Sequence, residues 1–590
     1  MSAADEIGEE EKHIEGEFSD EERSPTKVEK FDVQELIRQV EGNDPRIRDI
    51  QIGYKYNNEF TWDDIDWERF GAVIGSNAHV TEMLVFIDGL RFSTQQGVQF
   101  SRGLALNRSI KKISVIGEDT LVNENIFLMF APIFQNNPAI EFLDMQMPIG
   151  RIGFGPLVAL LRNPRSNLTV LKLSMAQFDD EGAKILSAGL KDNMTLKHLD
   201  LGGNSNITQS GWQAIFASLQ MPFFSLENLH LWGNDVNDAA LLSLSSALRH
   251  STTLKILQLD GIISTRVERD SASVIANAAW RDLFAGVVQS TTCTLERLQL
   301  SACNVNDDIL QLLINAIAHN DRLREVNLSD NLGVTDAGWE AFSAVLRNPT
   351  LMSVLEELHL GGNSINDRDV ASFAGALVAN NTLRVLDLSN NYDVTPAGWE
   401  TFPTVLRNPI SALEHLHLNK NSINDHALVS FIDALKNNKT LRRFEISGND
   451  DITVAGYEAF ADLLCNTSSI MDTYHSNHTL LDDECYDGYT GDDDYEYIIL
   501  CHRFGLHFGI NRDNSVSQAA RLKIIISHFS GNKINLQPFT AMDSSILPFA
   551  IAWMANAEYS GRVQYTRLYR SSACTLLYQF LLSMLPTLLE

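Results

Sequence analysis

The sequence predicts an α/β fold, a right-handed horseshoe solenoid with parallel strands along its inner curve and helices along its outer curve. Three observations predict it. The pattern L-x-x-L-x-L recurs ten times in succession between Leu168 and Ile446. Successive copies start mostly 28 or 30 residues apart, and an asparagine follows seven of them at one fixed distance. A fixed period in this range is the signature of stacked units that bury a continuous core.

The apolar pattern predicts the strands. Side chains alternate between the two faces of a strand, so the leucines of L-x-x-L-x-L enter the core and the x residues face the inner curve. The ten clear copies start at Leu168, Leu196, Leu226, Leu254, Leu295, Leu323, Leu355, Leu383, Leu413 and Leu441. Degenerate copies at Ile47, Val80, Ile110 and Ile140, with a worn one near Ile470, bring the array to about fifteen units.

The asparagine predicts the turn that leaves each strand. It lies three residues after the last apolar position, and its amide can bond the backbone of the turn and satisfy polar groups that the solenoid buries. Cys303 takes this place in its unit, so we expect a structural thiol rather than a reactive one. The asparagines are Asn204, Asn234, Asn331, Asn363, Asn391, Asn421 and Asn449.

The helices follow each turn. Asn, Asp or Thr stands where an N-cap is expected, and Asn-Pro, as at Asn348-Pro349, ends the helix because the residue before a proline disfavours helix. One position of the longer units holds an aromatic residue directly after glycine. We expect these side chains, Trp212, Trp339, Trp399 and Tyr457, to pack between helices rather than to contact a ligand.

These units resemble the leucine-rich repeats of the ribonuclease-inhibitor family, in which each unit is one strand plus one helix. The resemblance covers about residues 31–480. The units are also similar to the repeat domain of NOD-like receptors, but no G-x-x-x-x-G-K-[ST] loop or other catalytic motif is present. The resemblance implies a non-catalytic scaffold or receptor that binds a protein partner on the concave face. Ran-type GTPase activators use similar repeats, so GTPase activation or another regulatory role is the alternative.

The charges of the inner face follow a pattern. We call the residue after the first leucine of each unit the first column. From Lys197 it reads Lys197, Glu227, Lys255, Glu296, Arg324, Glu356, Arg384, Glu414 and Arg442, with the sign alternating throughout. Neighbouring parallel strands lie about 4.8 Å apart, so each charge is expected to face opposite charges on both sides. We favour a stabilising ion ladder over a binding role for this column.

The residue before the last leucine, which we call the third column, alternates histidine and acid at His359, Asp387, His417 and Glu445. Carboxylates on both sides favour imidazolium, so we hypothesise that both histidines hold protons above the reference pKa of about 6.5 and make partner binding pH-dependent. The alternative is a duplicated block of polar residues. No third ligand stands nearby in sequence, so neither a metal site nor a cofactor is predicted.

The unit that starts at Leu254 breaks the period. It runs 41 residues, replaces the asparagine with Ile262 and adds a segment with two arginines. Insertions in solenoids form loops, and this one is our candidate for a partner contact. The predicted partner-binding residues are therefore His230, Trp232, Asp260, Arg266, Arg269, His359, Asp387, His417 and Glu445, and no catalytic residue is predicted.

The rest of the chain is predicted from composition. Residues 1–30 form an acidic disordered head, 481–515 an acidic loop and linking helix, and 516–590 a helical C-terminal cap, with a membrane anchor at the last stretch as the less favoured interpretation. The net charge of −30 disfavours nucleic acid and favours a partner with basic patches. The acidic start lacks a signal peptide, which predicts an intracellular location, in the cytoplasm or alternatively the nucleus. No oligomeric state is predicted.

Overall fold

A computed structural model of the chain describes residues 33–480, apart from 54–64, 88–93, 118–125, 221–224, 250, 263–274, 276, 289–293, 319, 349–353, 465, 467, 469–471 and 473–474. The described residues form one sheet of fourteen parallel strands in chain order, each hydrogen-bonded to the next. A helix of the outer layer follows nearly every strand. This arrangement confirms the predicted α/β solenoid.

The fourteen strands coincide with the ten clear and four degenerate copies of the apolar pattern. Each begins two residues after the first apolar residue of its copy, and the copies from Ile47 to Leu441 are all confirmed as strands. The worn copy near Ile470 lies outside the described residues. The strands are β1 Asp49–Ile52, β2 Glu82–Phe86, β3 Lys112–Ile116, β4 Phe142–Gln146, β5 Val170–Lys172, β6 His198–Asp200, β7 Asn228–His230, β8 Ile256–Gln258, β9 Arg297–Gln299, β10 Glu325–Asn327, β11 Glu357–His359, β12 Val385–Asp387, β13 His415–His417 and β14 Arg443–Glu445.

The helices are capped where the sequence predicts. The side chains of Asn306, Thr335 and Asn366 accept hydrogen bonds from backbone N–H groups of the first helical turn. The helices are α1 Val33–Glu41, α2 Trp67–Ser76, α3 Thr94–Leu104, α4 Ile126–Asn136, α5 Phe154–Arg162, α6 Asp180–Leu190, α7 Gln209–Leu219, α8 Asp238–Leu248, α9 Asn277–Leu283, α10 Asp307–Ile317, α11 Asp336–Leu346, α12 Asp367–Leu377, α13 Pro396–Trp399, α14 Pro403–Leu406, α15 Asp425–Leu435 and α16 Val454–Leu464. A 3₁₀ turn precedes α5 and a π-helical turn follows α9.

The core is one continuous hydrophobic cluster that runs from Ile37 to Leu480. The repeat leucines lie in it, and Trp212, Trp339 and Trp399 are fully buried. Tyr457 is partly buried against the same cluster. The predicted packing role of this aromatic position is therefore confirmed.

The asparagines form the buried ladder that the sequence predicts. Nδ2 of Asn331 donates to the carbonyls of Leu300 and Leu328, both at 2.9 Å, and its Oδ1 accepts from the backbone N–H of Cys303 at 3.0 Å. The backbone N–H of Asn331 in turn donates to Oδ1 of Asn363 in the next unit at 2.8 Å. Equivalent pairs of bonds to leucine or isoleucine carbonyls recur at Asn204, Asn234, Asn363, Asn391, Asn421 and Asn449.

Cys303 belongs to this ladder. Its Sγ lies 3.1 Å from the carbonyl oxygen of Leu259, and the residue is 2% exposed. Burial raises the pKa of the Cys303 thiol well above its ordinary value. A deeply buried neutral thiol is a poor nucleophile, which confirms the structural interpretation of this cysteine.

The remaining predicted segments fall outside this description. The acidic head 1–30, the loop and linking helix 481–515 and the helical cap 516–590 lie outside the described residues, and so do Arg266 and Arg269. In the part of the chain that the structure describes, no helix is long and apolar enough to cross a membrane.

Candidate functional site on the inner face of the sheet

The first column forms the predicted ion ladder. Glu227 lies between two lysines, with oxygens 2.9 Å from Lys197 Nζ and 2.8 Å from Lys255 Nζ. Hydrogen bonds from Lys255 and Lys197 hold the pKa of Glu227 below its ordinary value. The ladder is interrupted at Glu296, which has no ion pair with any described residue.

The ladder resumes in the second half of the array. Glu356 contacts Arg324 and also Arg384, at 3.8 Å, and Glu414 lies 2.7 Å from Arg384 and 4.0 Å from Arg442. These side chains line an open groove of about 490 Å³ at the edge of the sheet where the strands begin. The five charges of the ladder in this groove are paired with one another, as the ion-ladder interpretation predicts.

The second half of the third column pairs as the register requires. His359, Asp387, His417 and Glu445 occupy matching positions on β11 to β14. Nδ1 of His417 lies 2.5 Å from Oε2 of Glu445, and Nδ1 of His359 lies 3.9 Å from Oδ2 of Asp387. The structure therefore brings these four predicted site residues together as one polar row.

The acids of this row are held in their charged form. Burial raises the pKa of Asp387, but the neighbouring His359 and the hydrogen bond from the backbone N–H of Ser389 outweigh it, and the pKa lies below its ordinary value. Burial also raises the pKa of Glu445, and hydrogen bonding to His417 reverses this shift in the same way. The row thus presents two carboxylates whose negative charge is stabilised by neighbouring imidazoles. The raised histidine pKa values that the sequence suggests stay a prediction.

The other predicted site residues form a second group, separated from the row by β9 and β10. His230 ends β7, and Trp232 and Asp260 lie just past the ends of β7 and β8. A carboxylate oxygen of Asp260 accepts a hydrogen bond from the backbone N–H of Ser301 at 2.7 Å, which ties β8 to the next unit. The seven predicted residues that the structure describes therefore do not lie together. They fall into two groups.

The second group contains two residues that the sequence did not select. The residue directly after the first column also faces the inner curve, and we call this position the second column. His198 occupies it on β6. The rings of His198 and His230 lie 4.5 Å apart, and Asp200 is the register partner of His230. The signal was present as His198-Leu199-Asp200, because residues two apart on a strand share a face. The group was missed from the sequence alone because its third residue, His230, comes from the next repeat.

Both histidines of this group are poor bases. Burial, followed by the charges of His230 and Lys172, lowers the pKa of His198 to about 4. Burial and the Lys172 charge lower the pKa of His230 as well. Each imidazole is therefore neutral at neutral pH and keeps a lone pair on one ring nitrogen.

Comparison with known proteins agrees with this architecture. A family model described as "Leucine Rich repeat" matches residues 166–187, 192–216, 352–374, 379–400 and 437–461. The chain therefore contains leucine-rich repeats. Its repeats resemble those of ribonuclease inhibitor and of proteins that combine NACHT, leucine-rich-repeat and PYD domains.

Two relatives illustrate the extent of the likeness. The pig (Sus scrofa) ribonuclease inhibitor is 29% identical over 271 residues, covering 46% of this chain and 56% of that protein. The human NACHT, LRR and PYD domains-containing protein 14 is 28% identical over 307 residues, covering 52% of this chain and 26% of that protein. The chain therefore spans about half the length of the first relative and about a quarter of the second.

A solved structure, from the crystal structure of the Rad7 and Elc1 complex in yeast, also aligns with the leucine-rich repeats. The alignment covers 61% of this chain and 85% of that chain, at 18% identity and a TM-score of 0.35.

Proposed function

We propose that this chain is a non-catalytic scaffold that binds a protein partner on the concave face of its leucine-rich repeats. The observation that carries the proposal is that each strand places its leucines in the core and its other side chains on the concave face. The leucines are buried, while most residues of the second and third columns are polar. Such a surface, repeated over fourteen strands, offers a long curved area with chemistry that varies from unit to unit.

Two parts of this surface are our candidate contacts. The first is the row His359, Asp387, His417 and Glu445, whose carboxylates favour cationic groups of a partner. The second is the group around His230, Trp232 and Asp260, because a half-buried tryptophan beside polar groups is a common anchor of interfaces. The undescribed arginines Arg266 and Arg269 of the neighbouring insertion remain candidates on sequence grounds alone.

The charge of the chain indicates the partner's chemistry. A net charge of −30 attracts basic surfaces and disfavours nucleic acid. We therefore expect a partner with a basic patch and an association rate that falls as salt is added. We place the interaction inside the cell, in the cytoplasm, and the free thiol of Cys303 fits a reducing compartment.

The test compares two triple variants of the full chain. One changes the concave face (Trp232→Ala, His359→Ala, His417→Ala), and the other changes exposed helix residues of the outer layer (Glu340→Ala, Arg368→Ala, His426→Ala). A partner captured with the wild-type chain is purified, and its Kd is measured for all three proteins by calorimetry. We expect the concave variant to bind at least about tenfold more weakly and the outer variant to match the wild type.

Two results would contradict the proposal. If the concave variant and the wild type bound the partner with equal affinity, the interface would lie outside the concave face. Accelerated GTP hydrolysis by a small GTPase in a single-turnover assay, on addition of the chain, would show a catalytic role and favour the regulatory alternative.

A further inference from the structure

Three side chains with metal-binding atoms converge near the middle of the inner face. They are His198 and Asp200 of β6 and His230 of β7, and one ligand atom from each lies within 4.8 Å of the others. His198 and Asp200 share a face because they are two residues apart on the strand, and Asp200 is paired in register with His230. The backbone of two neighbouring repeats thus holds the group in place.

The group contains a buried nitrogen without a partner. Nε2 of His198 is shielded from solvent and has no hydrogen bond to any described residue. An unsatisfied buried polar atom destabilises the folded state by about 1–3 kcal/mol unless something binds it. The other ring nitrogen, Nδ1, lies 3.2 Å from the side-chain amide of Asn228. The atom of Asn228 at this distance is Nδ2. With the amide turned by 180°, its oxygen would accept the Nδ1 proton and leave the Nε2 lone pair free for a ligand.

The local charge is negative and buried. The carboxylates of Asp144, Asp200 and Asp260 interact electrostatically within this group. Among the described residues, Lys172 is the cation that interacts with it. The Lys172 ammonium lies 5.6 Å from the ring centre of Phe142, and Oδ1 of Asp144 is buried without a hydrogen bond to a described residue. Three carboxylates against one ammonium leave an excess of two negative charges when all are ionised. A divalent cation would neutralise that excess.

The carboxylate is oriented for binding. The backbone N–H of Gly202 donates to Oδ1 of Asp200 at 2.9 Å, and the nearby side chain of Trp232 also lowers the pKa of this carboxyl group. Ligating carboxylates in metal sites are usually held by such outer hydrogen bonds. Burial raises the pKa of Asp200, and a bound cation would lower it.

We propose that His198, Asp200 and His230 bind one divalent transition-metal ion, with Zn²⁺ as the ion that fits best. Two imidazoles and a carboxylate are ligands that suit Zn²⁺ rather than Mg²⁺ or Ca²⁺. Tetrahedral Zn²⁺ places its ligand atoms about 3.4 Å apart, so atoms that lie within 4.8 Å of one another need to approach by at most about 1.4 Å. Three protein ligands leave the fourth position for water on the concave face.

A second group of the same kind offers a contrast. Glu325, Glu357 and His359 also lie close together, but Nε of Arg297 is 3.1 Å from Oε2 of Glu325. The guanidinium already supplies the positive charge there. The proposal is therefore restricted to the group of β6 and β7.

The experiment uses the full chain stripped of metal with a chelator. Zn²⁺ alone is titrated by calorimetry, and Co²⁺ alone is titrated with absorption spectroscopy, which reports the ligand type. We expect one equivalent to bind, and we expect His198→Gln, Asp200→Asn and His230→Gln each to weaken binding more than about 100-fold. Asn228→Ala should weaken it about 10- to 100-fold, as expected for a residue that orients a ligand.

The matched control is His415→Gln. His415 occupies the same second column on β13, but its register neighbours are Val385 and Arg443, so the variant should bind Zn²⁺ like the wild type. Circular dichroism of the metal-free proteins compares their folding. Equal binding by the wild type and a His198→Gln, His230→Gln double variant would overturn the proposal. So would a thiolate-to-cobalt absorption band in the wild type, because it would place the metal on cysteines.

Discussion

The indole of Trp232 occupies the space that a side chain at Gly202 would need. A Cβ atom placed on Gly202 would lie 2.2 Å from Nε1 of Trp232, far inside van der Waals contact. The two residues occupy equivalent positions of neighbouring repeats, one residue past the last leucine. This close approach lets the indole reach the carboxylate of Asp200.

The first prediction follows from this contact. Gly202→Ala should lower the free energy of unfolding by about 1–3 kcal/mol, because the added methyl group displaces the indole. Urea unfolding of the full chain measures the change. The cost should shrink in the Trp232→Ala background, where the clash is absent.

Gly155→Ala is the control for that substitution. Nothing lies within 4 Å of a Cβ at Gly155 in α5, so alanine there should be neutral or stabilising by up to about 1 kcal/mol. An equal loss of stability in both variants would show that the Trp232 contact is not the cause.

The second prediction concerns the asparagine ladder. Asn331→Ala leaves the carbonyl of Leu300 and the backbone N–H groups of Cys303 and Val305 without the partner that Asn331 supplies. We expect a loss of about 3 kcal/mol or more in the free energy of unfolding, measured in urea, because each buried orphan group costs about 1–3 kcal/mol. The exposed Asn206→Ala should change it by less than about 0.5 kcal/mol. A similar small effect at Asn331 would contradict a structural role for the ladder.

The third prediction concerns the thiol of Cys303. Because the side chain is buried and its pKa is raised, iodoacetamide should modify it only after unfolding. Mass spectrometry of the peptide that contains Cys303, with and without guanidinium, measures this. Rapid alkylation of the native chain would show that the turn opens readily.

The fourth prediction concerns the ion ladder. Glu227→Gln removes two partly exposed ion pairs, so the free energy of unfolding should fall by less than about 1 kcal/mol per pair, and less at high salt. Urea unfolding at low and high ionic strength measures both effects. Glu296→Gln is the control in the same column, because Glu296 has no ion pair with a described residue. An unchanged effect of Glu227→Gln in high salt would exclude an electrostatic cause.

The fifth prediction is a pH dependence. The pKa of Glu445 is lower in the folded chain than its ordinary value of 4.5, because hydrogen bonding to His417 outweighs the opposite effect of burial. The carboxylate therefore stabilises the fold fully above pH 4.5, and this stabilisation is lost as the pH falls through the lowered pKa. The His417, Asp387 and Arg443 charges face this group.

Glu445→Gln tests it. The variant should be less stable than the wild type near neutral pH, and the difference should vanish in acid, as measured by unfolding curves across the pH range. Parallel curves for the two proteins down to the acid limit would contradict the lowered pKa.

Much of the candidate surface could be predicted because the repeats are in register. The row from His359 to Glu445 and the ladder around Glu227 follow from counting residues, since equal offsets in neighbouring parallel strands lie side by side. The division into two groups follows from the same count, because Gln299 and Asn327 stand between them in the third column. The contact between the rings of His198 and His230 could not be counted in this way, because it depends on the rotamers of two side chains in different columns.

The sequence by itself determined the solenoid, its fourteen strands and its asparagine ladder, because the period of apolar and amide residues directly specifies which groups leave water. Only the tertiary structure decided that Nε2 of His198 is buried without a partner and that Trp232 fills the space above Gly202. Both depend on how side chains from separate repeats share space. Spacing along the chain sets which residues are neighbours, whereas rotamers and packing set which atoms meet.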